Sequence, residues 1–547
     1  MVRSVRAGFK AAAAAAAAVL ALAGCDNISI GGSGGGGGGG SAAAPQIAPE
    51  ELRAAVRDER VRRFYEARQW QPVWGEEQER TLTGALQDAR RHGLDARRYL
   101  QPVQAASGAA AKEAALTLSA LTYAETLARG QSDPKRLHEV YEIPRPEAEV
   151  ASGLAQAVEQ GNVAQWLAGL APQDAEYRAL SDAYLRYSEA AAREQAPAVT
   201  GGDSIEVGDR DPRVPAIAAA LRSHGYLAAQ PAPAQGQQQP ARQGQQKAQP
   251  QQQAAAPATT YTPEMAAAVR RVQEDYGINP DGVIGSGTLD ILNATARDRA
   301  RQLAVNLERR RWLARTAPET RIDVNTAAAF LDYWRDGQHA DSRKVMVGQP
   351  EWETPPLQSP IVRLVANPPW TVPESIEQEE LLPKGSAYLA RNGFTRNRNG
   401  RLVQEPGPEA ALGLVKLDMS NRHAIYLHDT PHKAGFARAE RHMSHGCVRV
   451  QDAVGFATML AEHDGKRDQF ERALAKRDDE DKPQEGGVQL ANAIPVRLLY
   501  HSVYLDRSGR LLFRPDAYGW DEAVAQALGL PARQRPSVRR HAGDIGP

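Results

Sequence analysis

The run Ser444-His445-Gly446-Cys447-Val448-Arg449-Val450 gathers side chains that could do covalent chemistry. A thiol titrates near pH ~8.5, so at neutral pH it needs a base to become a nucleophile. An imidazole can take that proton and leave a thiolate–imidazolium pair. Five of the 12 histidines crowd this region: His423, His428, His432, His442 and His445. His428 lies 19 positions before Cys447, in Tyr426-Leu427-His428-Asp429-Thr430. Adjacent residues on a strand face opposite ways, so Asp429 is not expected to orient the His428 imidazole. His423, His432 and His442 read as bystanders. Gly446 lets the backbone approach a substrate closely. A helix is predicted over 452–463, and its start would bring N–H groups toward the thiolate and a substrate oxyanion. Acyl transfer needs such donors, because its tetrahedral intermediate carries a full negative charge on oxygen. The other cysteine is Cys25, which excludes a disulfide scaffold and an all-thiolate zinc site. His428, His445 and Cys447 would also suit a three-ligand zinc site with one open position. Against that, no HExxH run occurs and no Glu stands beside these residues as a base.

Elements must position these groups. From about residue 320 the apolar period becomes two, predicting strands over 320–325, 328–334, 343–348, 361–366, 414–417, 423–428, 495–505 and 510–514. This β-rich domain spans 318–520, followed by a tail over 521–547. Upstream, 48–196 reads as a helical scaffold, with helices over 50–68, 80–92, 110–129, 149–170 (with a candidate break at Gly161-Asn162) and 173–194. A second unit covers 203–300, with helices over 214–224, 263–276 and 286–295. It is interrupted by a Gln/Pro/Ala-rich insert, 228–258, whose composition cannot bury a core. Such an insert is tolerated in a loop because closure entropy grows slowly with length. A charged helix over 297–316, with Arg309-Arg310-Arg311, is expected to link the units with its basic face solvated. The 547 residues are 42% hydrophobic and 24% charged, which suits three or four folded domains at roughly 150 residues each. Basic and acidic residues balance at 66 each, so the chain lacks the excess of a duplex nucleic-acid binder.

The N-terminus reads as an export signal. Arg3, Arg6 and Lys10 precede a run of uncharged residues to Cys25, short for a bilayer span and suited to a signal core. Its end, Leu22-Ala23-Gly24-Cys25, resembles the bacterial lipobox, which implies removal of 1–24 and lipidation of Cys25. The Gly-rich linker that follows, 25–47, suits a tether. Asp26 resembles an inner-membrane retention signal. The expectation is an exported, periplasmic protein held on the membrane by lipid.

The Ser444-His445-Gly446-Cys447 run and the upstream His428 resemble the L,D-transpeptidase family. Asn367-Pro368-Pro369-Trp370, Leu382-Pro383-Lys384-Gly385 and Ala411-Leu412-Gly413 resemble its large periplasmic branch. Val272-Gln273, Asp281-Gly282-Val283-Ile284-Gly285, Thr288 and Leu292 resemble a three-helix peptidoglycan-binding module, although three such helices also suit a purely structural unit. The resemblance implies a multidomain α+β chain: a helical scaffold, that module, and a β-rich catalytic domain with an inserted lid at 370–410. It implies Cys447 as nucleophile, His428 as base and then acid, and Tyr426 with the Gly446 and Cys447 amides at the oxyanion. Ser444 and His445 would shape the site, Arg449 would grip a substrate carboxylate, and Trp370 would belong to the lid. The implied reaction is attack on the third-residue carbonyl of a tetrapeptide stem, release of D-Ala, and transfer to a diamino-acid amine to form a cross-link, with no metal or cofactor. The implied partners are peptidoglycan stems, the membrane and wall-synthesis enzymes. The same acyl-enzyme would also serve an L,D-carboxypeptidase or a lipoprotein-attaching enzyme. A non-catalytic wall anchor and a zinc peptidase are the rivals of a different class.

Overall fold

Apolar residues at alternate positions build one nine-stranded sheet after residue 320. The computed structural model describes residues 46–193, 198–228 and 259–532. The signal and lipidation readings at 1–24 and Cys25, the linker to 45, the insert from 229 and the tail from 533 lie outside the described residues.

The strands are β1 (Arg321–Asn325), β2 (Phe330–Arg335), β3 (Gln338–Gly348), β4 (Leu357–Ala366), β5 (Val415–Met419), β6 (Leu427–His428), β7 (His442–Ser444), β8 (Val448–Val450) and β9 (Gly486–Leu499). Their order is β7-β3-β8-β6-β5-β4-β9-β1-β2, and β2 also pairs with β3, so the sheet closes on itself. Ile322, Val324, Leu364, Leu417, Leu427 and Val448 fill one face, against Phe456 and Leu460 of the helix Ala453–His463. Three stretches differ from expectation; one of them, 495–505, ends as β9 at Leu499, and Val503–Leu505 pairs with Leu511–Phe513 in a separate two-stranded sheet. The run 423–428 is strand only at Leu427–His428, because Ala424 takes φ 54° and turns the chain. β9 begins nine residues earlier than 495, through glycines and a bulge between Gln489 and Ile494 that hide its periodicity.

The scaffold centres on α1 (Ala109–Arg129), which buries Leu116, Ala120, Leu121 and Leu127. The expected helix 50–68 is two helices, Pro49–Ala55 and Glu59–Ala67, because the Asp58 carboxylate caps the second by accepting from the Arg60 N–H at 2.8 Å. In the module, Val214–Ser223, Pro263–Asp275 and Ser286–Leu292 pack together. The Gln273 side chain accepts from the Gly282 N–H at 2.8 Å and donates to Asp281 at 2.9 Å. The module residues that carry the family resemblance therefore lock its own turn.

The charged helix α2 (Ala296–Arg311) is not solvated as expected; it is the buried axle of the molecule. Glu308 and Arg311 are each 0% exposed and ion-paired at 2.7 Å. Arg311 also donates to the His92 carbonyl (2.8 Å) and the Tyr177 hydroxyl (2.9 Å) of the scaffold. Asn306 donates to Ser502 Oγ (2.9 Å), and Gln302 to the Arg514 carbonyl (2.8 Å), on the side of the β-rich domain. Arg299 donates to the Ile291 carbonyl of the module at 3.0 Å. The chain beyond 520 is likewise not simply a tail: Trp520–Ala527 forms α3, held to α2 by Arg309–Asp521 and by Arg301–Glu522 at 2.7 Å.

Removing one partner of a buried pair strands the other charge, at about 3–5 kcal/mol. Glu308→Ala should lower the urea midpoint by that much stability, whereas an exposed control such as Glu59→Ala should cost under about 1 kcal/mol. Equal effects would refute the axle.

Burial holds several histidines neutral. His92, His138 and His428 are pushed down to about 3, His224 to about 4, and His501 well below its ordinary value, each chiefly by desolvation. Below pH 6.5 the unfolded chain therefore binds more protons than the folded one. Stability is full above that pH and falls as pH drops toward 4. Melting followed by circular dichroism should show Tm declining between pH 6.5 and 5; a flat Tm would contradict it.

Candidate active site

The site follows from how β6 lies between β5 and β8. β8 runs parallel to β6 with Arg449 opposite His428 and Val448 opposite Leu427. β5 runs antiparallel on the other side with Lys416 opposite His428. Period two turns Leu427 and Val448 into the core. It leaves His428, Arg449 and Lys416 in one row, with Tyr426 and Cys447 beside them on the same face.

His428 is buried, and its Nδ1–H donates to the Asp429 main-chain carbonyl at 2.5 Å. That bond fixes the tautomer and leaves Nε2 as the bare acceptor. Burial, then the charges of Arg449 and Lys416, push His428 down to about 3, so it rests as neutral imidazole. The Asp429 carboxylate is engaged elsewhere, with Lys433 Nζ and the Leu414 N–H (3.0 Å).

Cys447 is partly exposed, and its thiol donates to the Ala424 carbonyl at 3.6 Å. Burial raises its pKa; the main-chain N–H and hydroxyl of Tyr426, then Lys416 and Arg449, pull the other way. Burial also holds the Tyr426 phenol far above its ordinary value, so it stays a donor. Its ring stands edge-on to His428 at 5.6 Å, with Lys416 Nζ 4.6 Å from its centre. Arg449 Nε is buried without a hydrogen-bond partner among the described residues.

The loop around the thiol is braced from both sides. Gly446 has φ 101°, a conformation that favours glycine. Its N–H donates to Ser444 Oγ at 3.2 Å, and Ser444 Oγ donates to the Cys447 carbonyl at 2.6 Å. The Gly446 amide, expected at the oxyanion, is thus spent on Ser444. Thr354 Oγ1 donates to the Gly446 carbonyl at 2.8 Å, and Tyr518 Oη to the Gly348 carbonyl at 2.7 Å. The helix expected to point at the thiol starts only at Ala453, after the intervening strand β8, and is capped by Asp452. It therefore supplies no donor to the site.

Residues 370–410 fold over this face with a small core of Val372, Ile376, Leu381, Phe394 and Leu402. From this insert the Trp370 indole acts on the Tyr426 phenol and favours its charged form. From the same insert, Glu380 meets His445 Nε2 at 2.6 Å, and the His445 ring stands edge-on to Trp352. The structure thus brings Tyr426, His428, Cys447, Arg449 and Trp370 together, and turns His445 toward the insert. Among the described residues no group of three or more His, Cys, Asp or Glu is arranged to hold a metal ion, and His428, His445 and Cys447 are not a ligand set. Sequence reasoning missed Lys416, Glu380, Thr354 and Tyr518. A lysine within the apolar run Leu414–Leu417 was a signal for Lys416; the other three depend on contacts between distant segments.

Residues 319–467, which hold every group just described except Tyr518, match the family model of the L,D-transpeptidase catalytic domain. These residues carry an L,D-transpeptidase catalytic domain. Residues 59–183 match a Scaffold domain, and 210–292 a "Putative peptidoglycan binding domain". A Haemophilus influenzae protein named "Putative L,D-transpeptidase" is 30% identical over 248 residues, covering 41% of this chain and 48% of that protein. The chain thus spans about half the length of that curated relative. Three solved structures are similar. The Ldtfm-avibactam carbamoyl enzyme is 13% identical, covering 34% of this chain and 49% of that one, at TM-score 0.19. An L,D-transpeptidase from Mycobacterium smegmatis is 13% identical (33% and 58%, TM-score 0.19). An L,D-transpeptidase from Xylanimonas cellulosilytica is 14% identical (56% and 99%, TM-score 0.17).

In this transpeptidase domain Lys416 favours the thiolate, so its loss raises the thiol pKa further. Lys416→Met should slow Cys447 alkylation by iodoacetamide about tenfold at pH 8, with the rate recovering at higher pH. An unchanged pH profile would remove Lys416 from the site's electrostatics.

Proposed function

We propose that the chain is a peptidoglycan L,D-transpeptidase that uses Cys447 as its nucleophile. The observation that carries this reading is the row formed by β5, β6 and β8: a partly exposed thiol, a neutral imidazole with a fixed tautomer and a half-buried guanidinium whose Nε has no partner among the described residues share one face beneath an insert.

The sulfur loses its proton to His428 Nε2 and attacks the third-residue carbonyl of a tetrapeptide stem. Burial disfavours a standing thiolate, so proton transfer accompanies attack. The Tyr426 hydroxyl and the Cys447 N–H stabilise the oxyanion. Arg449 presents its planar fork to a stem carboxylate. The C–N bond to the terminal D-Ala breaks, and His428 returns the proton to the leaving amine, leaving a thioester on Cys447. The side-chain amine of a diamino acid in a second stem then attacks. It yields its proton to His428, forms the amide and releases the thiol. The chain's own residues perform each proton transfer, and the broken peptide bond supplies the energy.

The insert supports transfer over hydrolysis, since a covered site favours a bound amine over water. With water as acceptor the same site would be a carboxypeptidase, and with a protein lysine it would attach a lipoprotein. Wall chemistry supports a location outside the cytoplasm, with Cys25 as the lipid anchor and wall-synthesis enzymes as partners. No helix among the described residues is long and apolar enough to cross a membrane.

Mass spectrometry of stem peptides incubated with the full chain tests the reading. The wild type should release D-Ala and yield a cross-linked dimer. Cys447→Ala should lose both by on the order of a thousandfold and lose covalent capture by a carbapenem. Undiminished cross-linking in Cys447→Ala would sink the nucleophile and leave the anchor reading; loss of activity on strong chelation would favour the zinc peptidase.

A further inference from the structure

A cleft of about 250 Å3 opens between the module and the catalytic domain. One wall is the turn after the module's second helix, including Gly277 and Pro280; another is the segment 437–442. Neither Cys447 nor His428 nor any residue of the insert lines it. The module is seated firmly here. Tyr276 stacks on Phe513 at 6.0 Å, and Arg514 donates to the Asp275 carbonyl. Gly277 has φ 65°, and a Cβ there would lie 2.7 Å from the Arg514 side chain.

The cleft gathers positive charge. Arg441 spends its five N–H donors on the carbonyls of Val345, Arg438, Ala439, Ala328 and Ala329. Those bonds satisfy its donors but leave its whole charge. Arg514 is likewise held by carbonyls, and it disfavours the Arg441 charge. Among the described residues neither guanidinium has a carboxylate at ion-pair distance. Lys344 and Arg438, both exposed, add two more cations, and Lys344 gives only one bond, to the Phe436 carbonyl at 3.2 Å. Glu274 and Glu440 oppose them, and Glu440 is engaged with His442 at 2.5 Å. Both guanidinia are half-buried, and Glu440 beside Arg441 and Asp275 and Asp506 beside Arg514 offset only part of the cost of desolvating them and setting them near one another, so a bound anion relieves what remains.

We infer that this cleft is a second wall-binding subsite, which takes a free carboxylate of a peptidoglycan stem away from the reacting thiol. It rests on the reading that the chain acts on peptidoglycan. Its volume lies at or below that of small-ligand pockets, roughly 300–1,000 Å3, which fits the end of a stem and not a disaccharide. The module and the catalytic domain then grip the polymer jointly, and Lys344 and Arg438 supply the free donors.

Co-sedimentation of the full chain with purified sacculi tests it. The double variant Lys344→Glu/Arg438→Glu, with unchanged Tm, should bind about tenfold more weakly. Amidating the sacculi's free carboxylates should weaken the parent to the same level and leave the variant unaffected. Equal binding by parent and variant, or equal weakening of both by amidation, would overturn the subsite. Inorganic phosphate should displace the parent no better than chloride at matched ionic strength; selective displacement by phosphate would overturn the carboxylate assignment. Cys447→Ala should leave this binding intact, so failure of the subsite and failure of the nucleophile are read separately.

Discussion

The buried ion pair between Glu308 and Arg311 is the constraint on which the architecture turns. Two charges fully removed from water are tolerated only when every remaining donor and lone pair finds a partner. Here the partners come from all sides. Ser132 donates to Glu308 from its N–H and its hydroxyl, Trp312 donates from its indole, and Arg311 reaches the scaffold at His92 and Tyr177. The same helix contacts the module through Arg299 and the side of the β-rich domain through Gln302 and Asn306. Satisfying that one helix fixes where the scaffold, the module and the β-rich domain sit, and it creates the junction where the cationic cleft lies.

The catalytic face depends on a second constraint, the register of β6 between β5 and β8. Pairing Arg449 and Lys416 opposite His428 puts two cations beside one imidazole. The same charges disfavour imidazolium and favour thiolate, so they lower both pKa values, while burial favours the neutral form of each group. The result is a neutral pair at rest, poised to exchange a proton when a substrate arrives. A register slip of one residue would send all these side chains into the core. Thr354, Ser444 and Tyr518 keep the Gly446–Cys447 loop at the end of that register.

Much of the candidate site was legible in the sequence as a set of side chains that the fold brings close together. Cys447, His428, Tyr426 and Arg449 stand out because reactive side chains are sparse elsewhere, and the period-two pattern around them gives their strands. The Gly446 amide illustrates the limit of such reading. Its position in the run suggests an oxyanion donor, but a hydroxyl two residues earlier takes the N–H. The helix after Cys447 was foreseen, but not the strand that separates its start from the thiol. Its placement depends on what β8 pairs with, which no local pattern reveals.

The sequence by itself determined the side chains available: one thiol besides Cys25, a histidine 19 positions before it, three units and their element types. Residue types and periodicity encode these directly, because nucleophilicity and side-chain alternation are local properties. The tertiary structure decided where the charges went. It buried a helix whose arginines look made for solvent, turned His445 toward Glu380, and set Lys416 beside the imidazole. Those outcomes depend on partners up to hundreds of residues away, and only folding brings them within hydrogen-bond reach.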